Sequence, residues 1–295
     1  MKDSVIKSIN ISFLIAKLVI PFTILSEILQ YLGYIDHIAF IFEPITNILS
    51  LPAEVAVAFA AAFFLNIYAG IAVAAGLGLN AYEWTIVGTF IAICHSIPLE
   101  ATVMKKLGFS IHIHWITRLF AGLLGAWIAS LFIPLSITSQ IVTADVAIKA
   151  ATFTDMLIEA ILASIILTIK IVCLVSSLVV GFDLIKKIPA VDKLMNRHTY
   201  ISSLTVGSLL GITYGAGILL KEIHSVSHKA KRNLLVFLML AHGLIEETLI
   251  FAIFGADIAI IFAVRTAIAI VAVIFVNASQ NSFPNNKVIT PSQQN

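Results

Sequence analysis

The sequence is poor in charged residues. Only 12% of its 295 residues are Asp, Glu, Lys or Arg, whereas 60% are hydrophobic, and the mean hydropathy is +1.04. A soluble domain needs about a quarter of its residues charged, so this composition excludes a soluble protein. The net charge of +2 is small and dispersed, which gives no basis for nucleic-acid binding.

Cysteine is almost absent, and the usual short motifs for metal or nucleotide binding are missing. Cys94 and Cys173 both lie in apolar runs and form neither a metal-ligand spacing nor a disulfide framework. We interpret both as buried apolar residues. The chain contains no HExxH and no GxxxxGK[ST] sequence. The sequence therefore predicts no metal site and no cofactor.

What the sequence does contain is a series of long apolar runs. Each is close to the length of about 20 residues that a helix needs to cross about 30 Å of hydrocarbon, and strand-like alternation is absent. The pattern predicts an all-α, multi-pass membrane protein, and residues 36–49 form an amphipathic segment suited to the membrane interface. The predicted spans are residues 9–32, 84–105, 111–133, 157–182, 233–254 and 258–277.

One block of sequence occurs twice, 147 positions apart. This offset carries His95 onto His242, Glu100 onto Glu247 and Arg118 onto Arg265. The chain has only four arginines, so a chance match of two of them in register with a repeated His and Glu is improbable. We interpret the protein as two copies of one unit. The units are residues 1–150 and residues 151–280, followed by a polar tail, 281–295.

The apolar run 51–78 is too long for one untilted span and is interrupted near its middle. It forms either one long tilted helix or two half-helices that meet as a re-entrant hairpin. Loop cations accumulate on the cytoplasmic side, and only the hairpin alternative places all the Lys and Arg clusters there, together with both termini. The predicted hairpin tips are Asn66, Tyr68 and Gly70 in the first unit and Thr213, Gly215 and Gly217 in the second.

Each unit then has three membrane-spanning helices and one re-entrant or broken helical hairpin. Because three is odd, the two units must have opposite orientations in the membrane. Inverted repeats with interrupted helices are typical of secondary transporters whose site lies near the bilayer midplane. The fold prediction is therefore two inverted repeats around a central site in the inner membrane.

The ionisable residues in these spans are the candidate site. Buried charges in a bilayer are costly unless paired or solvated, so we expect Glu100 to pair with Arg118 and Glu247 with Arg265. These pairs either lock helices together or line the pathway, with the arginines or hairpin tips contacting the solute. The candidate pathway residues are His95, Glu100, Arg118, His242, Glu246, Glu247 and Arg265.

The two copies differ at one position of this block. His242 and Glu246 lie one helical turn apart, whereas the first copy has Leu99 in place of Glu246. The pair serves either as a proton relay or as a polar contact between helices. Pro98 is expected to kink the first copy's helix, and His114 is expected at the interface.

The sequence resembles the nucleoside recognition (Gate) domain membrane proteins, a superfamily that includes spore maturation proteins and the gate regions of ferrous-iron and concentrative nucleoside transporters. The resemblance rests on residues 66–70, the block from His95 to Glu100, its counterpart from His242 to Thr248, and the duplication. It implies passage of a small solute across the inner membrane. The chain lacks the GTP-binding motif that accompanies the ferrous-iron transporters.

The predicted function is a secondary transporter coupled to protons or cations. Its solute would be small and polar, either nucleoside-like or an anion, the latter preferred because two arginines are repeated. The partners are this solute and the lipid bilayer, and homo-oligomerisation stays open. Alternatives are a membrane assembly factor or sensor, a divalent-metal permease, and an intramembrane enzyme. The last is disfavoured because Glu246 and Glu247 precede Phe251 where CAAX-type proteases have an arginine, so no catalytic residue is predicted.

Overall fold

The computed structural model describes residues 2–34, 40–133, 152–185, 188–189 and 227–281. These residues are all helical apart from their connections. The helices are α1 (Lys2–Tyr31), α2 (Glu43–Ile48), α3 (Val55–Phe64), α4 (Ile67–Ala75), α5 (Ala81–Cys94), α6 (Ile97–Lys106), α7 (Ile111–Phe132), α8 (Phe153–Ile185), α9 (His228–Ala241), α10 (Glu246–Phe251), a 3-10 turn (Ala252–Phe254) and α11 (Ile258–Asn281).

Six segments of the described chain are long and apolar enough to cross a membrane. They are Ser8–Tyr31, Ala81–Lys106, Ile111–Phe132, Phe153–Gly181, Lys229–Phe254 and Ile258–Ala278. All six fall on the apolar runs identified in the sequence, so the prediction of an all-α, multi-pass membrane protein is confirmed. Two of the six, α5–α6 and α9–α10, are interrupted near their middles.

The two interrupted spans form the centre of the protein. Most of their residues are buried inside it, whereas the other four spans present most of their residues outward. Every residue of α5 from Trp84 to Cys94 is buried, as expected for a helix that is apolar all round. Cys94 is buried but Cys173 is exposed on the outward α8, which corrects the expectation that both thiols are buried.

Residues 51–78 do not form one long helix. They form α3 and α4, of 10 and 9 residues, each too short to cross about 30 Å at about 1.5 Å per residue. The two pack closely, because a Cβ at Gly70 would lie 2.5 Å from the Cβ of Ala62. Asn66 caps α4 by accepting a hydrogen bond from the Ala69 backbone N–H at 3.0 Å. The counterparts Thr213, Gly215 and Gly217 lie outside the described residues.

The amphipathic segment packs one side against the end of this hairpin. Phe42 and Leu49 are only 5% and 3% exposed, whereas Glu43 and Asn47 on the opposite side are exposed. The ring of Phe42 meets that of Phe63 edge-on at 5.4 Å. The predicted division between an apolar and a polar side is confirmed for residues 42–49.

Local structure recurs with the offset of 147 found in the sequence. The bounds of α9 follow those of α5 by 147 at both ends, and α11 begins 147 residues after α7. Gly108 and Gly255 both have a positive φ, +90° and +78°. The recurrence concerns local structure, and the opposite orientation of the two units stays a prediction.

Candidate functional site

The first interrupted span breaks at His95 and Ser96, between α5 and α6. Ser96 has φ +51°, a backbone conformation that is uncommon for residues other than glycine. Its backbone N–H donates to the Ala62 carbonyl at 2.9 Å, and its Oγ donates to the Leu65 carbonyl at 3.1 Å. The break is therefore held in place by the end of α3.

The last carbonyls of α5 are satisfied by side chains of the candidate site. A helix end leaves its last four carbonyls without intrahelical partners, and in a bilayer water does not replace them. The carbonyls of residues 91, 92 and 93 accept, in that order, from His95 Nδ1 at 3.0 Å, Arg265 Nη2 at 3.0 Å and Arg118 Nε at 2.6 Å. The same side chains that form the site thus stabilise the interruption.

The second interrupted span breaks in the same way. His242 follows the end of α9, and its Nδ1 donates to the Leu238 carbonyl at 2.8 Å. The His242 carbonyl accepts from Arg265 Nη2 at 2.9 Å. Gly243 has φ +57°, the same left-handed conformation as Ser96 in the first break.

The prediction that Pro98 kinks a continuous helix is wrong. α5 ends at Cys94, and Pro98 lies in the first turn of α6, where the missing N–H of proline has no partner to lose. The second span is interrupted without any proline nearby. The left-handed residue and the arginine bonds to the freed carbonyls account for both breaks.

Both predicted ion pairs are confirmed. Arg118 Nη1 donates to Glu100 Oε2, and Arg265 Nη2 donates to Glu247 Oε2 at 2.8 Å. Arg265 Nη1 also donates to Thr248 Oγ1 at 3.2 Å. Both arginine side chains are 0% exposed. The guanidinium groups hold one oxygen of each carboxylate and the helix ends, so each carboxylate has a fixed orientation.

The other carboxylate oxygens converge with the two imidazole rings, and we call His95, Glu100, His242 and Glu247 the polar centre. His95 Nε2 and His242 Nε2 are 3.3 Å apart. Glu100 Oε1 lies 3.2 Å from His242 Nε2 and 3.5 Å from His95 Nε2. Glu247 Oε1 lies 3.5 Å from His95 Nε2 and 3.7 Å from His242 Nε2. The four side chains are only 5–13% exposed.

Glu246 belongs to a different contact. Its side chain interacts with that of Tyr68 on α4, whereas His242 Nε2 contacts Glu100 and Glu247. Glu246 therefore links α10 to the hairpin. At the equivalent position of the first unit, Leu99 is 61% exposed.

Three residues of the site region were not identified from the sequence. Ser96 could have been recognised from the sequence, because glycine, which favours a left-handed backbone, occupies the equivalent position of the second unit. Thr248 could not, since its equivalent is Ala101, which lacks a hydroxyl. His114 was expected at the interface but is 0% exposed, one helical turn before Arg118, because this face of α7 packs against the interrupted span.

These features define a multi-pass helical membrane protein built around two interrupted helices that share a buried polar centre. Residues 12–110, which include the hairpin and the first interrupted helix, match the family model described as Gate, nucleoside recognition. This match confirms the resemblance to the Gate proteins for residues 12–110.

The chain is also similar over most of its length to an uncharacterized membrane protein of Bacillus subtilis (strain 168), YvoD. The two are 26% identical over 276 residues, which cover 87% of each chain. The protein is thus a distant homologue of YvoD. No solved structure matches the chain.

Proposed function

We propose that the protein is a secondary transporter of the inner membrane, in which a small polar solute passes through the polar centre. The observation that supports this most is the position of the two breaks. His95 and His242 each lie about half-way along an interrupted span of 26 residues. Interrupted helices with polar groups at mid-depth are a recurring design of secondary transporters.

The groups that face the centre favour a cation, a proton or a neutral polar solute over an anion. The atoms that face the centre are carboxylate oxygens and imidazole nitrogens. These atoms attract cations and accept hydrogen bonds. The two repeated arginines are bound to Glu100, Glu247 and helix carbonyls. A nucleoside, as the family description suggests, offers hydroxyl and amino donors that these acceptors can bind.

Transport should depend on the polar centre. In proteoliposomes tested with nucleosides, nucleobases and cations, we expect Glu247→Gln to abolish uptake of the transported solute, and Arg118→Gln and Arg265→Gln to do the same by releasing the carboxylates. Glu43→Gln changes an exposed glutamate outside the spans and should transport normally. Normal uptake by the Glu247, Arg118 and Arg265 variants would overturn the proposal.

The proposal includes an inverted arrangement of the two units, with both termini in the cytoplasm. Leu79 and Lys105 lie at opposite ends of the first interrupted span. With Cys94 and Cys173 replaced by alanine, Leu79→Cys should react with an impermeant thiol reagent from outside the cell, and Lys105→Cys only after permeabilisation. Labelling of both from one side would contradict this topology.

We further propose transport rather than catalysis as the role of the paired glutamates. Glu246 lies near Tyr68, whereas Glu247 is bound to Arg265, so the two carboxylates have different partners. This arrangement gives no support to a catalytic mechanism in which both carboxylates act on one bond of a substrate.

A further inference from the structure

We propose that the polar centre binds one divalent transition-metal ion, ligated by His95 Nε2, His242 Nε2, Glu100 Oε1 and Glu247 Oε1. The sequence offered no motif for such a site, because each interrupted helix supplies one imidazole and one carboxylate, and the pairs lie 147 residues apart. The inference concerns binding and stands whether or not the ion itself is transported.

The two histidine nitrogens lie at metal-ligand separations from each other and from both carboxylate oxygens. A tetrahedral ion with bonds of about 2.0–2.2 Å to nitrogen and oxygen places its ligand atoms about 3.3–3.6 Å apart. Five of the six separations within the set are 3.2, 3.3, 3.5, 3.5 and 3.7 Å. The ligand atoms of His95, Glu100 and His242 all lie within 4.8 Å of one another, and Glu247 Oε1 lies within 3.7 Å of both histidine nitrogens.

The histidine rings are oriented as ligands. Each Nδ1 lies next to a backbone carbonyl, which only accepts, so Nδ1 carries the hydrogen and Nε2 presents its lone pair to the centre. Metal-ligating histidines commonly donate their second nitrogen in this way. Two such lone pairs 3.3 Å apart, with two carboxylates beside them, are four acceptors that a shared metal ion would satisfy.

The carboxylates are also oriented as ligands. Arg118 and Arg265 bind the Oε2 atoms and leave both Oε1 atoms directed at the histidines. Such outer partners fix the geometry of ligating carboxylates. Each carboxylate is paired with an arginine through Oε2, so Oε1 serves as an oriented ligand atom and not as unbalanced negative charge.

The helix breaks explain why these residues meet. Histidine and glutamate five positions apart lie about 140° apart around a regular helix, since each residue turns it by about 100°. In an unbroken helix they would not share a face. The break after His95, and the equivalent break after His242, bring both ligands of each pair to one point.

The ligand set selects the class of ion. Two imidazoles and two carboxylates at tetrahedral separations suit Zn²⁺, Co²⁺ or Fe²⁺. Ca²⁺ and Mg²⁺ prefer six or more oxygen ligands, which this buried centre does not supply. We therefore expect zinc-like ions to bind and calcium and magnesium not to compete.

The test is metal binding by the purified, tag-free full chain in detergent after treatment with a chelator. Zn²⁺ titrated calorimetrically should bind one ion per chain, and Co²⁺ should give the intense visible absorption of a four-coordinate site. His242→Ala and Glu247→Gln should each lower the affinity about 100-fold, at the upper end of the 10–100-fold loss typical of outer partners. His112→Ala and Glu43→Gln, both exposed in the structure, should bind as the wild type.

Thermal unfolding without metal identifies variants that fail to fold. Glu100→Gln, which keeps the shape of the side chain, provides a further ligand variant. Absence of Co²⁺ absorption in folded wild-type protein, or equal binding by all ligand variants, would overturn the inference. Metal binding without uptake of any solute supports the site and contradicts the transporter. Solute uptake by a protein that binds no metal supports the transporter and contradicts the metal site.

Discussion

Replacing Arg265 by methionine is expected to lower the free energy of unfolding by about 3–5 kcal/mol, because it leaves a buried carboxylate without its partner. The Glu247 side chain is 13% exposed, and Arg265 is its guanidinium partner at 2.8 Å. The same substitution removes the donor to the carbonyls of Ala92 and His242. Both helix breaks would then contain an unsatisfied carbonyl, for which a bilayer offers no water.

Thermal unfolding in detergent measures this effect, with Lys105→Met as the matched control. Lys105 is exposed at the end of α6, so its replacement should change the unfolding temperature little. The double variant Arg265→Met with Glu247→Met removes both charges, and a buried pair replaced by apolar residues of similar volume is often neutral or stabilising. It should recover much of the loss. An Arg265→Met protein as stable as the wild type would show that the pair does not hold the breaks.

The membrane-spanning helices could be predicted because their signal is local. In a bilayer, a run of about 20 apolar residues almost always forms a helix. Each of the six predicted runs coincides with a candidate membrane-spanning helix in the structure. The ion pairs could be predicted because few charges occur in these spans and two pairs recur in register. Charges that are rare and costly in lipid must find each other.

The breaks at His95 and His242 could not be predicted, and Pro98 was wrongly expected to kink the first of these helices. A regular helix would separate His95 from Glu100, and only the break reveals that they share one centre. That break depends on the left-handed Ser96 and on guanidinium groups from α7 and α11. These are contacts between segments far apart in sequence, for which a local pattern carries no signal.

The contact between Tyr68 and Glu246 is a second example. The sequence singled out both residues, one as a hairpin tip and one as the asymmetry of the second unit, but nothing linked them. The structure brings them near each other, because the first hairpin packs beside the centre formed by both interrupted spans. The hairpin of the first unit therefore lies near Glu246 of the second unit, a position at which the first unit has Leu99.

Gly70→Ala and Gly181→Ala are expected to change stability in opposite directions, although both add one methyl group to a helix. A Cβ at Gly70 would lie 2.5 Å from the Ala62 Cβ and 3.1 Å from the Ala58 carbonyl oxygen. Neither atom belongs to a flexible side chain, so α3 and α4 must separate. Overpacking of this kind costs about 1–3 kcal/mol.

Gly181 lies within α8, and a Cβ there would meet nothing within 4 Å. Alanine should therefore stabilise the protein by about 0.5–1 kcal/mol, through the lower backbone entropy of the unfolded chain. Thermal unfolding of the two variants measures the contrast. Because Gly70 lies on the same hairpin helix as Tyr68, its replacement should also shift Tyr68 away from Glu246. A Gly70→Ala protein that gains stability as Gly181→Ala does would mean that α3 and α4 are not packed as a close hairpin.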